Sequence, residues 1–210
     1  MAAGSIGRPD SEPSWSAADC RRSPFHARSP HGTSLVHNRP SKSSRTNRAP
    51  RIEELKAGIE ALEVAMRWTP SGLRLTNLAM FELELATRLS PGDAQRANLL
   101  ERSGSNLVEG LLQNPCDSYA WLRLAIVQNY RGLPARKVAA PQMASLDVAP
   151  NLRGLWSTRA EYLLFYSTVL TSEELYEVRH QLRTIWSEAT NVRLPLVRIA
   201  LRVDRSIVLT

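Results

Sequence analysis

The sequence predicts an all-α fold: a short α-solenoid of helix-turn-helix pairs behind an N-terminal tail. Three observations point there. After residue 50, apolar residues recur at spacings of three and four in one stretch after another, which places them on one face of a helix. Proline, glycine and capping residues punctuate these stretches, leaving connections of only a few residues and no convincing strand. A proline–tryptophan pair also recurs 35 residues apart, as Pro115/Trp121 and Pro150/Trp156, and a fixed period of this length marks a repeat architecture.

The elements follow in order. Residues 1–50 are rich in Ser, Pro, Arg, His, Asn and Gly, and 23–50 shows neither a period of 2 nor one of 3.6. Too little apolar surface is available there to offset the entropy of ordering, so a disordered basic tail is expected. From Arg51 the texture changes, and 51–210 is expected to form the repeat domain. Leu55, Ile59, Leu62 and Met66 stripe a first helix stopped by Thr69-Pro70. A second, over 71–89, carries Leu78, Phe81, Leu85 and Leu89 on one face and Ala79, Leu83 and Ala86 on another, the pattern of a helix between two neighbours. Ser90 is the expected N-cap of the third, with Pro91 in its first turn and Asp93 at its positive end. Gly104 lies inside that helix's stripe of Ala97, Leu100, Leu107 and Leu111, where a missing side chain would let another backbone approach.

A fourth helix over 117–131 stops at Gly132 and Pro134. A fifth within 135–148 is expected to break or kink at Pro141, and a sixth spans 152–170. Thr171 and Glu174 form a capping box ahead of Leu175, Val178, Leu182, Ile185 and Ala189. The end, 191–210, reads either as a short helix broken early by Pro195 or as an extended strand.

Small residues follow both tryptophans at the same distance, Ala125 and Ala160. This pattern resembles the tetratricopeptide repeat family. Trp121, Leu124 and Ala125 look like the family's large, apolar and small residues on a first helix. Ala144 and Pro150 look like the small residue and closing proline of a second, allowing one inserted residue. Gly58, Leu62 and Ala65, closed by Pro70, look like the second helix of an earlier unit. The resemblance implies stacked helix pairs with a concave surface lined by first helices, here about 73–88, 117–131 and 152–170. The chain departs from the pattern in places: Pro70 and Pro115 are 45 apart, Thr76 stands where a tryptophan would, and Arg159 replaces the leucine after Trp156. The stretch AWLRLA is also similar to small bacterial repeat proteins that accompany cell-envelope polysaccharide systems.

Charge narrows the function classes. The chain has 27 basic and 20 acidic residues. Residues 1–50 hold eight basic against three acidic, while the rest holds 19 against 17, so the folded part is nearly balanced and is not expected to be a nucleic-acid surface. The tail could serve as a basic arm for nucleic acid, as a Ser-Pro phosphorylation segment, or as an inert extension. Cys20 and Cys116 have no metal-ligand spacing and suggest no disulfide framework. The longest uncharged run, 162–172, has 11 residues, well short of the ~20 needed to span a bilayer, and the N-terminus lacks the plan of a secretory signal. A cytoplasmic location is expected, with peripheral contact to the inner membrane left open.

No catalytic residue, metal site or cofactor is expected. His180 is the one histidine after residue 50, and no nucleophile motif accompanies it. His26, His31 and His37 are loosely spaced without further ligands. Glu53, Glu54, Glu60 and Glu63 read as a solvated helix face. Function is therefore expected in binding. The outward polar positions on the first helices are Asn77, Arg123, Gln128, Asn129, Arg131 and Arg159, with Arg123 and Arg131 suited either to fork a partner carboxylate or to form structural salt bridges with Asp117 or Glu161. Trp156, Tyr162, Phe165, Tyr166, Tyr176 and Trp186 form an aromatic set that is either core or recognition surface. The expected partner is a protein or peptide segment. The alternatives are nucleic acid held by the tail, an accessory role in an envelope polysaccharide system, and pairing with a second copy.

Overall fold

The computed structural model of the chain describes residues 49–203. They form eight α-helices: α1 (Ile52–Trp68), α2 (Gly72–Arg88), α3 (Ala94–Gln113), α4 (Ser118–Tyr130), α5 (Ala135–Val148), α6 (Trp156–Phe165), α7 (Ser172–Glu188) and α8 (Thr190–Val203). Short 3-10 turns flank α6 at Arg153–Leu155 and Ser167–Val169, and no strand occurs among the described residues. The chain is all-α, as its periodicity predicts. Of the tail expected over 1–50, residues 1–48 lie outside the described residues, and so do 204–210.

Each helix packs on the next in sequence. The most extensive contacts are α2 on α3 and α4 on α5, with α1, the α3–α4 seam and the α5–α6 seam joining these pairs. Two apolar clusters result. One gathers Leu55, Leu78, Leu83, Leu100, Leu107 and Leu111 from α1 to α3 and reaches α4 through Leu124 and Val127. The other gathers Met143, Trp156, Leu163, Leu164, Val178, Ile185 and Leu196 from α5 to α8. The order loosens at the end, where α6 packs more broadly on α8 than on α7.

Local chemistry sets the boundaries. Ser71 caps α2 by accepting from the Arg74 N–H at 3.3 Å. The cap of α3 is Asp93, which accepts from the Gln95 N–H at 2.8 Å, rather than Ser90. Pro91 and Gly92 instead form a turn closed by the Asp93 N–H on the Ser90 carbonyl at 3.0 Å, a place that suits the fixed φ of proline. At the end of α4, Gly132 takes φ 68°, its N–H donates to the Asn129 carbonyl, and that of Leu133 donates to Gln128. This is a Schellman closure, whose left-handed residue favours glycine. The capping box of α7 is present in both directions: Thr171 N–H to Glu174 Oε2 at 2.8 Å and Glu174 N–H to Thr171 Oγ1 at 3.2 Å.

Three further expectations need correction. Pro141 does not interrupt α5; it is buried among Val138, Ala139, Met143 and Leu146, and packing on both sides outweighs one lost hydrogen bond. Pro195 likewise lies within a continuous α8, whose Leu196, Ile199 and Ala200 are buried, so the strand reading fails. Gly104 is approached by side chains, with Arg131 Nη1 3.3 Å and Val127 Cγ1 3.5 Å from where a Cβ would stand. The close backbone approach occurs elsewhere, between α2 and α3. A Cβ on Gly72 would lie 3.0 Å from the Gly110 carbonyl, and one on Gly110 would lie 3.1 Å from the Gly72 carbonyl.

Candidate partner-binding surface

The recurrent proline–tryptophan spacing has a physical cause. The Trp121 indole N–H donates to the Pro115 carbonyl at 2.7 Å, and that of Trp156 donates to the Pro150 carbonyl at 3.0 Å. Each proline ends one helix pair, and the ring six residues on ties that corner to the first helix of the next. The small residue one turn after each tryptophan, Ala125 or Ala160, is buried, as is Leu124. At the earlier unit, Gly58 admits the Phe81 ring, whose Cε1 would be 2.6 Å from a Cβ there, while Leu62 and Ala65 are half-buried and Pro70 is exposed. The missing third tryptophan is explained by Thr76, which is buried with its Cγ2 2.7 Å from a Cβ on Gly110. The α3 backbone occupies the space that an indole would need.

The first helices α2, α4 and α6 are joined by long-range contacts. Arg123 on α4 reaches back to α2, where its Nη2 meets Met80 Sδ at 3.3 Å. Its guanidinium also stacks over the Tyr119 ring at 5.8 Å. Tyr119 reaches forward to the entrance of α6, where its Oη would be 3.1 Å from a Cβ on Gly154. Further along α4, Asn129 Oδ1 accepts from the hydroxyl of Tyr166, the C-cap of α6. Tyr166 packs edge-on against Phe165 at 5.0 Å and tilted against Tyr162 at 6.3 Å.

The electrostatics of this surface centre on Arg123. Burial pulls its pKa below the ordinary guanidinium value, with Asp117 and Tyr119 acting the other way. Among the described residues no carboxylate is in ion-pair contact with it, and its hydrogen bond goes to a thioether, a weak acceptor. A guanidinium has five N–H donors, and the hydrogen bond to Met80 uses one of them. Burial also pushes the Tyr162 hydroxyl up to about 12, which keeps it a neutral donor.

The six residues expected to face outward separate. Asn77 and Arg123 lie on α2 and α4 and are half-exposed, with Met80 between their helices. Asn129 is engaged by Tyr166 at the end of α6. Arg131 is exposed at the end of α4 and turns toward Gly104 of α3, away from the others. Gln128 is a correction: its Oε1 is buried and accepts no hydrogen bond within the protein. Arg159 is the larger correction, because it is fully buried. Its Nε donates to Ser145 Oγ at 3.1 Å, Nη1 to the Ala149 carbonyl at 2.8 Å, and Nη2 to the Ser145 carbonyl at 2.7 Å and to Ser118 Oγ. Helical spacing shows only that Arg159 shares a face with Trp156. It does not show that two serines from α4 and α5 wait opposite. Tyr119 and Met80, the residues that frame Arg123, carry no signal in the sequence beyond their place one turn from it or on the neighbouring first helix.

The other residues weighed in the sequence are placed as follows. His180 is exposed on α7. The histidines at 26, 31 and 37 lie outside the described residues, and no group of three metal-ligating side chains occurs within them. Of the aromatic set, Trp156 is core, whereas Phe165, Tyr176 and Trp186 are exposed. No helix among the described residues is long and apolar enough to cross a membrane. The chain matches no family model, no curated protein and no solved structure.

Proposed function

We propose that this chain is a non-catalytic scaffold or adaptor of tetratricopeptide-like helix pairs, which binds an extended segment of a partner protein across α2, α4 and α6. The observation that carries this reading is Arg123, a half-buried cation with no carboxylate in ion-pair contact among the described residues, framed by Tyr119 and Met80 between α2 and α4. Arginine and tyrosine are the residue types that anchor partners, and a guanidinium of this kind takes a carboxylate by forked hydrogen bonds. The 35-residue recurrence of the indole-to-proline bond supports the repeat reading. A cytoplasmic location with peripheral membrane contact belongs to the same proposal.

The test is affinity capture from the native host with the full chain and with a chain beginning at Arg51, at low and at raised salt. A single protein retained by both through the salt wash is the expected result. Recovery of nucleic acid alone, only with residues 1–50 present and lost steeply with salt, would replace the scaffold by a tail-driven nucleic-acid factor.

A further inference from the structure

An amphipathic surface with no partner among the described residues lies on α8. Leu196, Ile199 and Ala200 bury one side of this helix against the second core. The opposite side exposes Leu194 and Leu201, at 59% and 69%, with Arg198 between them and Arg202 beside them. Positions 194, 198 and 201 fall on one helical stripe. No acidic residue occurs in α8. The neighbouring Trp186 of α7 is 44% exposed, and Arg193 covers its ring at 5.5 Å while donating from Nε to the Trp186 carbonyl at 2.7 Å. Arg179 and Arg183 are exposed on the same α7. Two carboxylates near this face are ion-paired, Glu188 with Arg153 at 2.9 Å and Glu161 with Arg202 at 3.7 Å, while Glu177 is also exposed on α7.

We infer that the outer face of α8, with Trp186 at its border, docks on an anionic lipid surface. Exposed leucines alternating with arginines match the layering of a bilayer interface. The leucines enter the acyl boundary, the arginine stems lie along it with their charged ends among headgroup phosphates, and the indole sits at headgroup level. A nucleic-acid backbone would use the arginines and leave two leucines in water, so the leucines decide for lipid. This inference rests on the peripheral-contact part of the proposed function and leaves the Arg123 surface free to hold a partner.

The test is flotation of the full-length protein with phosphatidylcholine vesicles containing about one third phosphatidylglycerol, and with phosphatidylcholine alone. The parent is expected to float with the anionic vesicles only. Leu194→Gln with Leu201→Gln leaves the charge unchanged at exposed positions and is expected to weaken vesicle binding about tenfold or more. Arg198→Gln weakens it less, and Arg123→Gln leaves it unaltered. Equal flotation of parent and double-leucine variant would assign the binding to other basic residues and overturn the inference. So would absence of flotation by the parent. A parent that is dimeric without lipid and a double-leucine variant that is monomeric would give the face to a second copy instead. Failure of the Arg123→Gln variant to capture a partner while still floating would separate this outcome from that of the scaffold reading.

Discussion

In the first core, around Leu78, Leu107 and Leu111, the buried ion is Glu82 of α2, and it has a charged neighbour. Arg102 of α3 bonds Glu63 of α1 and places Nη2 2.8 Å from Glu82 Oε1, off the direction of a hydrogen bond. Asn106 donates to Oε2 at 2.8 Å. In the second half, beside Trp156 and Ala160, the buried ion is Arg159, and its hydrogen-bond partners are neutral: two serine hydroxyls and two carbonyls. Those serines already exchange bonds with each other's carbonyls, Ser118 to Ser145 at 2.9 Å and Ser145 to Ser118 at 2.8 Å. The same helix-pair plan thus accepts a charge either by bringing an opposite one from the next helix or by lining its path with hydroxyls and carbonyls. In both places burial dominates. It raises the Glu82 carboxyl above its ordinary value and lowers Arg159 to about 10. A buried ion of either kind is weak evidence for stability.

The largest way to break the comparison is through the second core itself. Trp156 is 2% exposed and ties Pro150 to α6, so Trp156→Ala is expected to lower unfolding free energy by about 3–5 kcal/mol. Trp156→Phe keeps most of the packing and gives up the indole bond, at about 1 kcal/mol. Trp121→Phe should cost a similar amount if the two corners are equivalent. Chemical denaturation of the three variants checks this, and unequal losses for the two phenylalanine variants would deny the equivalence.

The next effect is on pH dependence. A carboxyl whose folded pKa is raised contributes stability that is fully present below its unfolded pKa and lost as pH rises through the folded one. Glu82→Gln removes that loss. Its melting temperature relative to the parent should therefore climb as pH is raised through and above the ordinary carboxylate range. A difference that shrinks with rising pH would mean that Arg102 outweighs burial.

The smallest effect is expected at Arg159. For a depressed base the linked stability is present above the unfolded pKa and lost as pH falls through about 10, so at neutral pH the charge is carried at a cost. Because Ser118 and Ser145 satisfy each other, Arg159→Leu should leave unfolding free energy within about 1 kcal/mol of the parent, or raise it. A loss of several kcal/mol would show that the guanidinium is a structural clamp.

Much of this architecture was legible in the residues. The stripe from Leu55 to Met66, the Thr171–Glu174 box and the Gly132 stop each state a local preference that packing then respects. The proline breaks misled for a definite reason. Pro141 and Pro195 act on one hydrogen bond each, whereas the buried neighbours on both turns act together, and that sum is visible only once the helices are stacked. The candidate site was legible only in part. Arg123 could be placed on a first helix, but its lack of a carboxylate partner depends on α2 presenting Met80 there. Arg159 shares the helix type and residue type of Arg123, and only the serines across the α4–α5 seam distinguish a buried ion from a surface one.

The contrast between these two arginines also defines the most direct measurement. The affinity of the captured partner for the parent, for Arg123→Gln and for Arg159→Leu should be determined by titration on purified protein. The account predicts that Arg123→Gln raises Kd about tenfold or more, while Arg159→Leu leaves Kd unchanged. Equal affinity of the parent and Arg123→Gln would contradict the binding surface across α2, α4 and α6.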